Sequence, residues 1–126
     1  MEMTRGLFLI IDDEPDLCWL MEQFLRQEGC AAKAAQSGCE ALDLVKRFRF
    51  RLAFMDLKLP DANGIDLARR LREIDPGLPI MLVSGSLFED DVDLEKALAD
   101  GLVFGFIRKP FKNEEIRKAI GCGRLH

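Results

Sequence analysis

Short apolar runs that end on polar or acidic residues set the strongest limit on how this chain can fold. Leu7-Phe8-Leu9-Ile10-Ile11 runs into Asp12-Asp13-Glu14, Leu52-Ala53-Phe54-Met55 into Asp56, and Ile80-Met81-Leu82-Val83 into Ser84-Gly85. Runs of this length, bounded by turn residues, read as buried strands. A charge inside such a run would need a partner, so the acids belong at the strand ends. Asp56 is therefore expected at a strand tip facing solvent. The loop that follows it, Leu57 to Gly64, is punctuated by Pro60 and Gly64.

Between these runs the apolar spacing becomes helical. Pro15 suits the first turn of a helix carrying Leu17, Leu20, Met21, Phe24 and Leu25 on one face, and Gly29 stops it. Ser37 can cap a second helix with Ala41, Leu42, Val45 and Phe48. Gly64 opens a third with Leu67, Ala68, Leu71 and Ile74, ended by Pro76-Gly77. A fourth is expected over about Asp90 to Ala99, with Val92, Leu94, Ala97 and Leu98 apolar and Leu87-Phe88 in the loop before it. A fifth covers about Asn113 to Ile120. Cys30 to Ala35 reads as a weak edge strand, and Val103 to Ile107 as the last strand, terminated by Arg108-Lys109-Pro110.

Near-continuous apolar strands alternating with helices predict an α/β fold whose parallel sheet is covered on both faces. Right-handed crossovers then favour a five-stranded doubly wound sheet in the order 2-1-3-4-5, a flavodoxin-like (βα)5 arrangement. The 126 residues fit a single domain, 1–126, with its core at about 7–120.

Composition narrows the function. Eighteen basic against 22 acidic residues leave a net charge of −4, which argues against a dedicated nucleic-acid binder. No apolar run approaches the ~20 residues of a membrane span, and Leu7 to Ile11 is too short for a signal peptide, so a cytoplasmic protein without membrane contact is expected. Cys18, Cys30, Cys39 and Cys122 form no C-x-x-C pair and read as free thiols rather than zinc ligands. The single histidine is His126, the last residue, which leaves histidine-dependent chemistry without a candidate.

In a doubly wound parallel sheet every strand ends on the same side. That edge gathers Asp12 and Asp13, Asp56, Ser84 and Lys109. Three close carboxylates repel unless a cation joins them, and hard oxygen ligands with open positions suit Mg²⁺. Lys109 and Ser84 can supply a charge and a hydrogen-bond donor to phosphoryl oxygens. A carboxylate in such a setting can form an aspartyl phosphate, helped by in-line positioning and charge neutralisation. Each residue alone has a plainer explanation. Acids favour helix N-termini, Asp56 could form a turn, Ser84 could end a strand, and Lys109 could be a solvated surface lysine. Their convergence on one edge favours the phosphoryl site.

The chain resembles a response-regulator receiver domain, the phosphoacceptor module of two-component signalling. The resemblance rests on Ile10-Ile11-Asp12-Asp13-Glu14-Pro15, on Met55-Asp56-Leu57-Lys58-Leu59-Pro60-Asp61-Ala62-Asn63-Gly64, on Pro79-Ile80-Met81-Leu82-Val83-Ser84-Gly85 and on Lys109-Pro110-Phe111. It implies that Asp56 is the phosphoacceptor, that Asp13 ligates Mg²⁺ directly and Asp12 mainly through water, and that the backbone carbonyl of Lys58 is a further ligand. Ser84, Gly85 and Lys109 would bind the phosphate, and Ser84 with Phe106 would form the switch, with Phe104 a rival for the aromatic role. The Lys109–Pro110 peptide would be cis. The implied partners are a sensor histidine kinase or phosphotransfer domain, docking near Leu17, Cys18 and Phe111, and an effector domain or protein of unknown kind. Trp19, off the buried stripe, is a second candidate contact.

This sequence departs from the family pattern in carrying Ser84 for the commoner threonine, Gly85 for alanine, and Phe106 without a hydroxyl. The stretch between Ser84 and Lys109 is also longer than is common. A homodimer through the fourth-helix face is compatible with the resemblance, as is either a stand-alone receiver or part of a longer regulator or hybrid kinase. Competing readings are a flavodoxin-like electron carrier, disfavoured by the acids after the first strand, and an aspartate-nucleophile phosphatase, disfavoured by Lys58 where a second acid is needed. A degenerate receiver that serves only as a binding module is a further rival.

Overall fold

The computed structural model describes residues 6–85 and 92–124. Its elements run β1 (Leu7–Ile11), α1 (Pro15–Gln27), β2 (Ala31–Ala35), α2 (Gly38–Arg47), β3 (Leu52–Met55), α3 (Gly64–Ile74), β4 (Ile80–Ser84), α4 (Val92–Ala99), β5 (Gly105–Arg108) and α5 (Asn113–Gly121). The strands form one parallel sheet in the order β2-β1-β3-β4-β5.

Side chains on a strand alternate between its two faces, and both faces are buried here. Leu9 and Ile11 of β1, Ala53 and Met55 of β3, and Ile80 and Leu82 of β4 pack with Val45, Leu67, Leu71 and Leu94 of the helices α2 to α4. The alternate residues Phe8, Ile10, Leu52, Phe54 and Val83 pack with Met21, Leu25, Ile116 and Ile120 of α1 and α5. Phe8 stacks on Phe54 with ring centroids 6.4 Å apart. This double coverage explains why the strands read as unbroken apolar runs.

Local chemistry starts the helices. Pro15 occupies the first turn of α1, where its missing N–H leaves nothing unsatisfied. The Ser37 hydroxyl accepts from Glu40 N at 3.2 Å to cap α2. Asn63 caps α3 by accepting from Ile65 N at 2.8 Å.

Five sequence expectations need correction here. β5 begins at Gly105 rather than Val103, because the amides of Leu102 and Val103 turn back to the carbonyl of Ala97 at 2.9 and 3.3 Å. Leu20 is exposed, since it faces a groove between α1 and α5 rather than the sheet. Ile74, in the last turn of α3, and Val92, at the start of α4, are exposed as well. Cys18 is buried in the core and is not on the docking rim. The expected helix start near Asp90 and the Leu87-Phe88 loop lie outside the described residues.

The end of the sheet away from the acids is tied by the C-terminal segment. Arg124 donates Nη1 to Asp75 Oδ1 at 2.8 Å, Nε to the Phe50 carbonyl at 2.9 Å and its amide to the Arg51 carbonyl at 3.0 Å. A second guanidinium nitrogen, Nη2, bonds Asp75 Oδ2, so the pairing is two-pronged. The Arg124 hydrogen bonds hold the Asp75 carboxyl below the usual carboxylate range, against the opposing effect of burial.

Candidate functional site

Backbone pairing sets the acids side by side. β1 lies between β2 and β3, and Ile11 pairs with Met55. The residues that follow keep the register: Asp12 N donates to Ala35 O at 3.0 Å, and Asp56 N donates to Ile11 O at 2.8 Å. Asp12, Asp13 and Asp56 each bring a carboxylate oxygen into one cluster, all within 4.8 Å of one another. Asp12 and Asp56 are only 6% and 8% exposed, while Asp13 is open to solvent. The expected solvent-facing tip is thus a recessed acid. Lys109 closes over it, reaching Asp12 Oδ2 at 2.7 Å and Asp56 Oδ2 at 3.2 Å.

Lys109 follows β5, and its amide donates to the Ser84 carbonyl at 3.2 Å. Burial alone would push its ammonium pKa down. Hydrogen bonds and charge from Asp12, with Asp56, outweigh this and hold the pKa above its ordinary value. Lys109 is therefore a fixed cation, also 4.0 Å from Glu14 Oε1. Three carboxylates and one ammonium leave a formal excess of two negative charges. Two recessed acids with an exposed third beside them are a donor set suited to a hard divalent cation. The residues present fit Mg²⁺.

Ser84, at the end of β4, is 1% exposed and lies beside β5, paired with Arg108. Gly85 is exposed, and a Cβ placed on it would meet, among the described residues, only Lys109 Cβ, at 3.9 Å. Phe106 and Phe104 are 42% and 40% exposed, and both side chains lie outside the core. The Lys109–Pro110 peptide is cis.

Lys58 is held in the loop after β3. Its amide donates to Asp56 Oδ1 at 3.3 Å, and it pairs with Asn63 in a single antiparallel bridge. Gly64 closes the loop by donating to the Leu57 carbonyl at 2.7 Å. A Cβ on Gly64 would sit 2.7 Å from Leu57 backbone atoms, so only glycine permits this closure.

Below the acids, the buried Cys18 thiol donates to the Asp12 carbonyl at 3.2 Å. Burial, reinforced by the Asp12 charge, pushes that thiol up to about 11, so it remains a protonated donor.

Beside Lys109, a groove of about 650 Å³ runs between α1 and the start of α5, lined by Leu17, Leu20, Phe24, Pro110 and Phe111 among others. Trp19 is exposed on α1 but does not line it. Sequence reasoning assigned no role to Glu14, Asp61, Asp75 or Arg124. Only Glu14 carried a signal, its adjacency to the acidic pair; the other contacts join residues 22 or more positions apart. No helix among the described residues is long and apolar enough to cross a membrane.

Comparison with known proteins agrees with this geometry. The family model for the response regulator receiver domain matches residues 8–121. The DNA-binding response regulator MtrA of Mycolicibacterium smegmatis is 36% identical over 116 residues, covering 92% of this chain and 49% of that protein. The autoinducer 1 sensor kinase/phosphatase LuxN of Vibrio campbellii is 31% identical over 113 residues, covering 90% of this chain and 13% of that protein. The chain therefore spans about half the length of MtrA and much less of LuxN. Among solved structures, a CheY-like receiver domain protein from Methanospirillum hungatei superposes with a TM-score of 0.84 at 27% identity, over 92% of this chain and 90% of that one. The chain belongs to the response regulator receiver domain family of two-component signalling.

Proposed function

We propose that Asp56 accepts a phosphoryl group from a phosphohistidine, and that this changes the surface the domain offers to its partners. The observation that carries this reading is the sharing of Lys109 between Asp56 and Asp12 inside the three-acid cluster. In the transfer an Asp56 carboxylate oxygen forms the new bond to phosphorus as the phosphorus–nitrogen bond breaks, and the histidine nitrogen leaves with that electron pair. Asp12, Asp13, Asp56 and the Lys58 carbonyl would hold Mg²⁺, which when bound offsets the negative charge gathering on the phosphoryl oxygens. Lys109 keeps its proton and is placed to take up one phosphoryl oxygen. Ser84 supplies a hydroxyl on the other side, and Gly85 leaves the approach clear.

The acyl phosphate adds about two negative charges at the sheet edge and needs new donors there. Ser84 answers by moving toward it, and Phe106 is the aromatic that swings into the space released. Both are a shift between existing states biased by local charge. The groove of Leu17, Leu20 and Phe111 suits an amphipathic surface of the sensor kinase or phosphotransfer domain, next to the reacting group. The domain turns over no substrate other than its own phosphoryl group, and its setting is cytoplasmic.

The test is direct. With Mg²⁺ and a small phosphodonor such as acetyl phosphate, intact mass should rise by one phosphoryl group. Asp56→Asn should abolish the increment. Equal labelling of that variant would remove Asp56 from the role.

A further inference from the structure

We propose that Asp61, at the tip of the loop after β3, is a positioning residue for the metal site, acting through the backbone of Lys58. This rests on the reading of Asp12, Asp13, Asp56 and the Lys58 carbonyl as the Mg²⁺ site. The loop is a miniature hairpin. Lys58 bridges Asn63, and Leu59 N donates to the Ala62 carbonyl at 3.2 Å. Nothing within the hairpin itself fixes its tip against the body of the protein. Asp61 does so. Its Oδ1 accepts from Gly38 N at 2.8 Å and its Oδ2 from Cys39 N at 3.1 Å, the first two amides of α2. These are donors that a helix cannot satisfy internally, and the Ser37 hydroxyl takes only the third, Glu40 N.

Gly38 is shaped for the same contact. A Cβ there would stand 3.1 Å from Ala62 Cβ and 3.3 Å from Asp61 Oδ1, so any larger residue would press the hairpin away. The Gly38 amide also holds the Asp61 carboxyl below the usual carboxylate range, although the group is fully exposed. The hairpin is therefore clamped at two places: at its base by Gly64 on Leu57, and at its tip by Asp61 on α2. Lys58 lies between the clamps. Its carbonyl must face the acids for a cation to use it, and a backbone ligand has no side-chain rotamer with which to recover lost alignment. Releasing the tip should weaken the cation site while leaving its carboxylates in place.

The experiment compares wild type, Asp61→Ala, Asp61→Asn and Ser37→Ala, each titrated with Mg²⁺ alone and followed by amide chemical shifts, with urea midpoints measured in parallel. Asp61→Ala is expected to weaken Mg²⁺ binding at least threefold. Its phosphorylation rate should fall at low Mg²⁺ and recover at saturating Mg²⁺. Asp61→Asn, which keeps one acceptor oxygen, should fall between that variant and wild type. Ser37→Ala removes the other cap of the same helix, so it should lose stability with unchanged Mg²⁺ affinity. Unchanged affinity in Asp61→Ala, beside a lowered urea midpoint, would reduce Asp61 to a helix cap and overturn the proposal. If wild type itself shows no Mg²⁺ binding dependent on Asp13 and Asp56, the reading of the site fails and the proposal with it.

Discussion

At the carboxyl-terminal end of the sheet one ammonium is shared by two carboxylates with a third beside them; at the opposite end Arg124 meets Asp75 one to one. Asp12, Asp56 and Lys109 at one end and Asp75 and Arg124 at the other are largely shielded from water, while Asp13 is open to it, and the electrostatics of the two ends differ in kind. The Arg124 guanidinium is matched by two carboxylate oxygens and by the Phe50 carbonyl, and Asp75 is paired with that same group. Lys109 instead serves Asp12 and Asp56 together, and Asp13 adds a further negative charge nearby. A balanced, hydrogen-bonded pair favours the folded state. An unbalanced cluster favours a cationic ligand, because a bound cation offsets the repulsion. One end of the sheet holds the chain together, and the other waits for chemistry.

Charge removal should separate the two ends. Asp75→Ala strands a guanidinium that is mostly buried, and a lost charged hydrogen bond of this kind costs about 2 kcal/mol. The urea midpoint should drop accordingly, with Mg²⁺ affinity and labelling at Asp56 unchanged. A loss of labelling would mean that the two ends are coupled.

The same variant gives a pH test with a defined sign. The folded-state pKa of Asp75 is depressed, so its stabilisation is fully present above the unfolded value of about 3.9 and is lost as pH falls through the lower folded value. The stability gap between wild type and Asp75→Ala should therefore be constant from pH 7 to about 5 and shrink below pH 4.

The smallest effect should carry the opposite sign. Asp13→Asn removes one of three crowded charges, and Mg²⁺-free protein should gain roughly 0.5 kcal/mol. If Mg²⁺ binds as proposed, wild type should gain stability from it by mass action, and that gain should largely vanish in this variant. A net loss of stability in Mg²⁺-free buffer would show that Asp13 is already balanced, and the contrast between the ends would fail.

Much of the site was legible because its residues terminate strands. β1, β3 and β4 are read from apolar runs, and a parallel sheet sends Asp12, Asp56 and Ser84 to one edge whatever the details. Caps such as Ser37 are equally local. Sequence pattern carries less where exposure depends on a distant partner. Leu20 fits the apolar stripe of α1 yet faces a groove. Asp56 was expected in solvent because Lys109, 53 positions away, is what covers it. The ties made by Asp61 and Arg124 have no periodicity at all. They join polar groups, several of them backbone amides or carbonyls, 22 to 74 positions apart, and only the folded chain brings them into register.

The pairing of β1 with β3 has a consequence for how such a domain can be tuned. Asp12 and Asp56 extend from adjacent strands, so their spacing is a property of peptide hydrogen bonds, about 4.8 Å between strands. The sheet acts as a ruler that point substitutions cannot redraw without breaking the core. The acidic pair thus comes with a fixed gauge, and differences between sites of this design have to come from what stands around it. Lys58 and Gly85, both exposed on the rim, stand outside that ruler, so a side chain changed at either position leaves the spacing of Asp12 and Asp56 as it is.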